Sequence, residues 1–212
     1  MNSPTPTEIL ECARRVVRAD GDAIASALDS LDDSFLSAAQ AIAQCTGKVL
    51  VTGSGTSGII ADRAAHLLSV GGTPAFFLPP ARGLHGGLGV LRSQDIVLAL
   101  SKGGSSSDLN EFCKRARTLC RCLIVITADP ASELAQLAHH CVRLTVPDEA
   151  DLGGVLATGS SLAAAAVTDA FVEVARLLRS YDWKQVLLTH PMGAVGRDAE
   201  ATLQRLSAAK DG

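Results

Sequence analysis

Two glycine- and serine-rich stretches, each directly after a short apolar run, carry the densest chemical signal in this sequence. The first is Gly53-Ser54-Gly55-Thr56-Ser57-Gly58, and the second is Ser101-Lys102-Gly103-Gly104-Ser105-Ser106-Ser107-Asp108. Glycine lets a ligand approach the backbone closely, and the free amides at a helix start attract an anion. One serine would serve as a helix cap, but the second stretch has four, with two glycines and a lysine, so it is read as a phosphate cradle. The first stretch also has the glycine spacing of a dinucleotide fingerprint. That chemistry asks for a carboxylate at the end of the next strand, where Phe77-Leu78-Pro79-Pro80 supplies none. The expected ligand is therefore a phosphorylated small molecule on Gly55, Thr56, Ser57, Ser101, Lys102, Gly103, Ser105 and Ser106, with no nicotinamide cofactor.

Proton transfer needs different groups. Asp148-Glu149-Ala150-Asp151 precedes Gly153-Gly154 and then Thr158-Gly159-Ser160-Ser161, an arrangement that delivers a carboxylate to the strand-end crevice at the start of a long helix, with Thr158 and Ser160 expected to bind the phosphorylated substrate. His85 in Leu84-His85-Gly86-Gly87 and His190 in Thr189-His190-Pro191-Met192-Gly193 lie next to glycines and are the histidines expected to act. His66, His139 and His140 have no such setting and read as structural. His139-His140-Cys141 lacks a second pair of ligands at usable spacing, so no metal is expected.

These residues need elements to position them. Apolar residues at three- and four-residue spacing predict helices over 7–18 and 22–43, divided at Gly21. Short apolar strands then alternate with helices. Strands are predicted at 48–52, 75–78, 96–100, 122–126 and 141–146, and helices at 57–70, 106–119, 131–138 and 158–180. Pro79-Pro80 ends the second strand, and residues 81–94 read as a glycine-rich connection. Continuous apolar strands joined by helices imply an α/β fold, a three-layer, doubly wound sandwich around a five-stranded parallel sheet. Ligands bind beyond the carboxyl ends of such strands, which is where both serine-rich stretches fall. At 212 residues the chain reads as a single domain, 1–212, with the helical pair 7–43 packed on it.

Composition removes other classes. Hydrophobic residues make up 47% and charged residues 19%, too apolar for a disordered chain. The net charge of −3 leaves no basic footprint for nucleic acid, and no apolar run approaches the ~18 residues of a membrane span. The first residues, Met1 to Glu8, have neither the basic nor the apolar stretch of a secretory signal, and six scattered cysteines read as reduced thiols. A cytoplasmic protein is expected.

From Lys48 to Arg197 the sequence resembles SIS (sugar isomerase) domains, and within them the arabinose-5-phosphate isomerase group. The matching pieces are Gly53 to Gly58, Gly72 to Phe77, Leu84-His85-Gly86 with Leu88-Gly89, and Asp95 to Ser101 running into the serine loop. They continue with Ile126-Thr127, Asp129-Pro130, Glu149-Ala150, Thr158 to Ser161, Thr189-His190-Pro191, Gly193 and Gly196-Arg197. The resemblance implies a five-stranded parallel sheet in a dimer or tetramer whose sites are shared between subunits. It implies a phosphate held by the two serine loops, and it aligns Glu149 and His190 with the family's acid/base residues. His85 falls on a further site histidine, and Asp108 stands where a glutamate is more frequent. The implied reaction is aldose–ketose isomerisation of a sugar phosphate through an enediol, with Glu149 as a partly buried base of raised pKa and no cofactor. Thr56 replaces a lysine of the group, and Asp151-Leu152-Gly153-Gly154 replaces a Cys-Pro-Leu-Gly run. The rival implication is a SIS domain that binds a sugar phosphate without converting it, although the first 45 residues contain no basic recognition helix. Many members carry a C-terminal pair of CBS modules, for which these 212 residues leave no room.

Overall fold

The computed structural model describes residues 3–192 and 198–208. Five parallel strands, β1 (Val49–Gly53), β2 (Ala75–Phe77), β3 (Ile96–Leu100), β4 (Cys122–Thr127) and β5 (His140–Arg143), form one sheet in the order β2-β1-β3-β4-β5. The central strands β1, β3 and β4 are buried along their whole length. Their side chains alternate between two cores. Val49, Val51, Ile96, Leu98, Leu100, Ile124 and Ile126 enter one, and Leu50, Val97, Ala99, Leu123 and Val125 enter the other. Both faces of the pleat must therefore be covered by helices.

The first face is covered by α2 (Asp33–Ala43), α3 (Gly55–Val70) and α7 (Gly159–Leu178), with α1 (Pro6–Ser26) lying outside on α7. Phe35 of α2 stacks on Phe171 of α7 with ring centroids 4.5 Å apart. The second face carries α4 (Pro80–Leu84), α5 (Ser107–Ala116) and α6 (Glu133–Leu137), centred on the fully buried Phe112. Gly83 of α4 is required there, because a Cβ at that position would overlap the Phe112 ring. After α7 come α8 (Trp183–Leu188) and α9 (Ala199–Ala208). The doubly wound sandwich expected from the sequence is the fold observed. Among the described residues, no helix is long and apolar enough to cross a membrane.

Two local expectations change. Gly21 does not divide the first two helices, and α1 runs through it. One exposed glycine weakens a helix by only about 1 kcal/mol, too little to break it without an alternative start nearby. That start is at Asp32, whose carboxylate accepts from Ser34 N and Phe35 N, after a 3-10 turn at Ala27–Ser30. The connection over 81–94 is also not featureless. Pro80 occupies the first turn of α4, where its missing N–H is harmless, and a second 3-10 turn follows at Gly87–Val90.

At the amino ends of the strands, Asp95 ties β1 to β3. Only 1% exposed, its carboxylate accepts from Lys48 N at 3.0 Å, Lys48 Nζ at 2.6 Å and Arg92 N at 2.7 Å. Burial alone would raise its pKa, but these donors outweigh it and hold the carboxyl below its usual value. A depressed folded-state pKa contributes stability that is fully present above the unfolded value of about 3.9 and is lost as pH falls through the folded one. Asp95→Ala is expected to destabilise the fold by about 2–4 kcal/mol at pH 7. Urea titrations at pH 7 and pH 3 check this, because the gap between variant and wild type must shrink at the lower pH.

Candidate active site

In the strand order, β1 leads to β2 on one side while β3 begins the run to β5 on the other. This reversal opens a crevice beyond the carboxyl ends of β1 and β3. The first serine-rich stretch turns there from β1 into α3. Gly55 adopts φ +56°, and a Cβ at Gly53 would collide with the carbonyl oxygens of Ser57 and Leu100, so the glycines are set by backbone geometry. Ser54 stands at the N-cap of α3 but does not cap it. Its hydroxyl crosses the crevice and donates to Asp108 Oδ2 at 3.0 Å, linking the two serine loops. An open cleft of about 420 Å³ lies here, lined by Ser54, Gly55, Asp62, Phe77, Pro80 and Asp108 among others. Gly55 and Asp108 were expected at the site. Ser54 and Asp62 were not, and their one sequence signal is position, beside the first glycine pair and two turns into the helix it opens.

The second serine loop is rigid at its base. Ser101 Oγ accepts from Gly104 N at 3.1 Å, and Asn110 Nδ2 donates to Gly104 O at 3.2 Å. Gly104 has φ +61°, and a Cβ there would overlap Ser132. Gly103 and Ser105 are exposed and Ser106 is half-buried at the N-cap of α5, with no side-chain bond to the helix. Away from the crevice, side chains do fill this role, with Asp32, Ser132 and Asp182 capping α2, α6 and α8. At the crevice, α3 and α5 leave their first amides without a side-chain acceptor, beside the exposed Thr56 and the hydroxyls of Ser105, Ser106 and Ser107. Unpaired amides and an aligned dipole make an anion site.

The third wall carries the residue the sequence did not single out. Asp151, 5% exposed, accepts from Ser160 N at 3.0 Å, Ser160 Oγ at 2.8 Å and Lys102 Nζ at 2.7 Å. It therefore caps α7 from outside the helix and fastens the second serine loop to it. Burial pushes its carboxyl pKa up, but the bonds from Lys102 and Ser160 outweigh that and hold it below the usual range. Two expected phosphate ligands are thus already engaged. The Lys102 ammonium sits on Asp151, and the Ser160 hydroxyl donates its hydrogen bond to the same carboxylate. Thr158 Oγ1 is similarly occupied, donating to Ala150 O and accepting from Leu152 N. Ser57, Ser101, Lys102 and Ser160 do line one space, but it is of about 20 Å³, room for one water molecule. Thr56 and Ser105, by contrast, are exposed and Ser106 is half-buried.

The proton-transfer candidates are dispersed. Glu149 lies in a 3-10 turn, Asp148–Ala150, and is exposed, so the burial expected for it does not come from this chain. His85 is exposed at the end of α4. His190 follows α8, its Nδ1 3.3 Å from Val186 O. The helix α7 begins beside Ala150 and runs about 30 Å to the other pole of the sheet. There Tyr181 packs on Gly72, and Arg176 stacks 4.4 Å from the ring of Trp183, the first residue of α8. His190 and Glu149 are therefore not brought together within one chain. Gly193, Gly196 and Arg197, which carry part of the resemblance, lie outside the described residues. His139 has a structural role, its Nδ1 accepting from Leu123 N at 2.9 Å, and burial together with Arg117 and His140 lowers its pKa.

Residues 41–174 match the SIS domain, which is more than half of the chain. The chain belongs to the SIS family. Among curated SIS relatives, it is 34% identical to arabinose 5-phosphate isomerase KdsD of Yersinia pestis over 190 residues, 88% of this chain but 57% of that protein. It thus spans little more than half the length of that relative. Two solved SIS structures resemble it closely. A protein of Listeria monocytogenes described as a sugar-phosphate isomerase has a TM-score of 0.85 and 31% identity, covering 90% of this chain and all of that one. An Escherichia coli CFT073 protein in complex with a sugar phosphate has a TM-score of 0.83 and 27% identity, covering 89% and 100%.

The bonding around Asp151 sets an order of sensitivity in this SIS domain. Asp151→Ala strands the buried Ser160 amide and is expected to destabilise by about 1–3 kcal/mol. Lys102→Ala removes a partner whose side chain is 41% exposed, where solvent screening leaves less than about 1 kcal/mol. Urea unfolding of the two single variants and the double variant measures both quantities and their coupling.

Proposed function

We propose that this SIS chain interconverts the aldose and ketose forms of a phosphorylated sugar, with arabinose 5-phosphate and ribulose 5-phosphate the first pair to assay. The observation carrying this proposal is the pair of uncapped, hydroxyl-rich helix starts facing each other across the β1/β3 crevice. The relationship to KdsD and the fold shared with a protein that binds a sugar phosphate support the substrate class. The phosphate occupies the amides of α3 and α5 with Thr56, Ser105 and Ser106, and Ser101 holds the loop that presents them. Anchoring it fixes C1 and C2 of the sugar, a use of remote binding energy that raises turnover. Glu149 takes the proton from C2, and its exposure in one chain is compatible with this role if a second copy covers the turn that carries it. His85 or His190 moves the hydroxyl proton, with His190 supplied by a neighbouring copy in a cytoplasmic homo-oligomer, because its own Glu149 is at the other pole. Asp108, bonded to Ser54 in the cleft, accepts sugar hydroxyls.

A binding-only role is the second reading, favoured by the exposed Glu149 and by the engagement of Lys102 with Asp151. Proton exchange at C2 in deuterated water separates the two. The isomerase incorporates deuterium into the recovered sugar phosphate, whereas a sensor binds and leaves it unlabelled. Glu149→Gln should lower kcat by at least about 10²-fold with little change in KM. Wild-type turnover in that variant rejects Glu149 as the base. Ser106→Ala should raise KM while affecting kcat less, a split that steady-state kinetics resolves. Mixing Glu149→Gln with His190→Ala after subunit exchange is expected to recover activity that neither variant has alone.

A further inference from the structure

The half-buried His190 is carried by α8, so whatever holds that helix sets where the imidazole stands. His190 N donates to Leu187 O at 3.1 Å, and its Nδ1 lies 3.3 Å from Val186 O, which ties the residue to the last turn of the helix. With six residues, α8 is too short to be stable alone. Asp182 and Gln185 close a capping box at its start, a local device that fixes no position relative to the sheet. Position has to come from the connection to α7.

Arg176 supplies it. The end of α7 is a Schellman turn, in which Ser180 N donates to Leu177 O and Tyr181 N to Arg176 O, both at 3.0 Å, with Ser180 at φ +54°. The Arg176 guanidinium reaches past this turn. Its Nη1 donates to Tyr181 O at 2.8 Å, so both backbone polar groups of Tyr181 are bonded to one residue. Nε and Nη2 donate to the two carboxylate oxygens of Glu173, each at 2.7 Å. Glu173 is exposed, so this pair adds little stability, yet it sets the plane of the cation. All these bonds use the edge of the guanidinium and leave its face free. On that face lies the Trp183 ring, its centroid 4.4 Å from Arg176 Cζ. One buried cation thus joins the end of α7 to the first residue of α8.

We propose that Arg176 is a positioning residue for His190, holding α8 through Tyr181 and Trp183 in the orientation from which the imidazole serves a site. The inference rests on the reading of His190 as a proton carrier, and Arg176 acts through α8, not on the sugar. Trp183 is the chain's only tryptophan, so its fluorescence reports the stack directly. In the full chain, Arg176→Gln should open Trp183 to acrylamide quenching and shift the His190 Hε1 resonance, identified by its loss in His190→Ala. It should lower kcat by about 10- to 100-fold, the effect of a misplaced group, with KM changed by less than about twofold. Trp183→Leu, which keeps the guanidinium and removes its ring partner, should reproduce that split. Adding Arg176→Gln to His190→Ala should cost no further activity, whereas a general structural role multiplies the two losses. Independent losses in the double variant overturn the proposal. So does wild-type kcat in Arg176→Gln, or unchanged Trp183 quenching together with an unchanged His190 resonance. A wild-type chain that leaves C2 unlabelled rejects the isomerase reading instead, and the two spectroscopic readouts still decide whether Arg176 holds His190 in place.

Discussion

Every strand in this sheet points the same way, so every helix that follows a strand begins at the same pole. Helix starts are where backbone N–H groups lack partners, and a parallel sheet gathers them on one side of the molecule. The chain resolves that surplus in two ways. Where nothing needs to bind, a side chain closes the helix, as Ser132 does for α6. Beside the β1/β3 reversal the caps are withheld from α3 and α5, and Ser54 directs its hydroxyl to Asp108 across the gap. The anion site we propose is a consequence of topology combined with the choice of residues not to cap.

Asp95 and Asp151 are the complementary constraint. Each is a buried carboxylate fixed by a lysine and by backbone or hydroxyl donors, at opposite ends of the sheet. Asp95 sets the spacing of β1 and β3 at their amino ends. Asp151 sets the distance from the second serine loop to α7 at their carboxyl ends. Between them the crevice has a defined width, which a phosphate-anchored ligand needs if its reacting carbons are to be held in one place. The free thiols have no comparable role. Burial pushes Cys113 up to about 12 and Cys122 up to about 11, leaving them as small apolar core residues.

The chain was most legible where local physics is decisive. The five strands, their parallel arrangement and the two serine-rich loops at strand ends follow from apolar runs and glycines. Gly21 was misleading, whereas Pro79-Pro80 does follow the end of β2 but also opens α4. Both are treated locally as breakers, yet a glycine can be carried within a long helix, and a proline that ends a strand can open a helix in the next residue. In the acidic run 148–151, spacing alone did not reveal which carboxylate turns inward. The 3-10 turn exposes Glu149 and delivers Asp151 to the start of α7.

What the sequence determined by itself is the list of parts: a doubly wound sheet, two hydroxyl-rich loops at strand ends, and acids and histidines in named loops. Tertiary structure alone decided which of those parts are free. Lys102 and Ser160 have the right chemistry for an anion, but a carboxylate 49 residues from one and nine from the other already holds both. Likewise, the length of α7 puts His190 at the far pole from Glu149. Residue type fixes what a group can bond, whereas availability depends on partners distant in sequence, which come together only when the chain has folded.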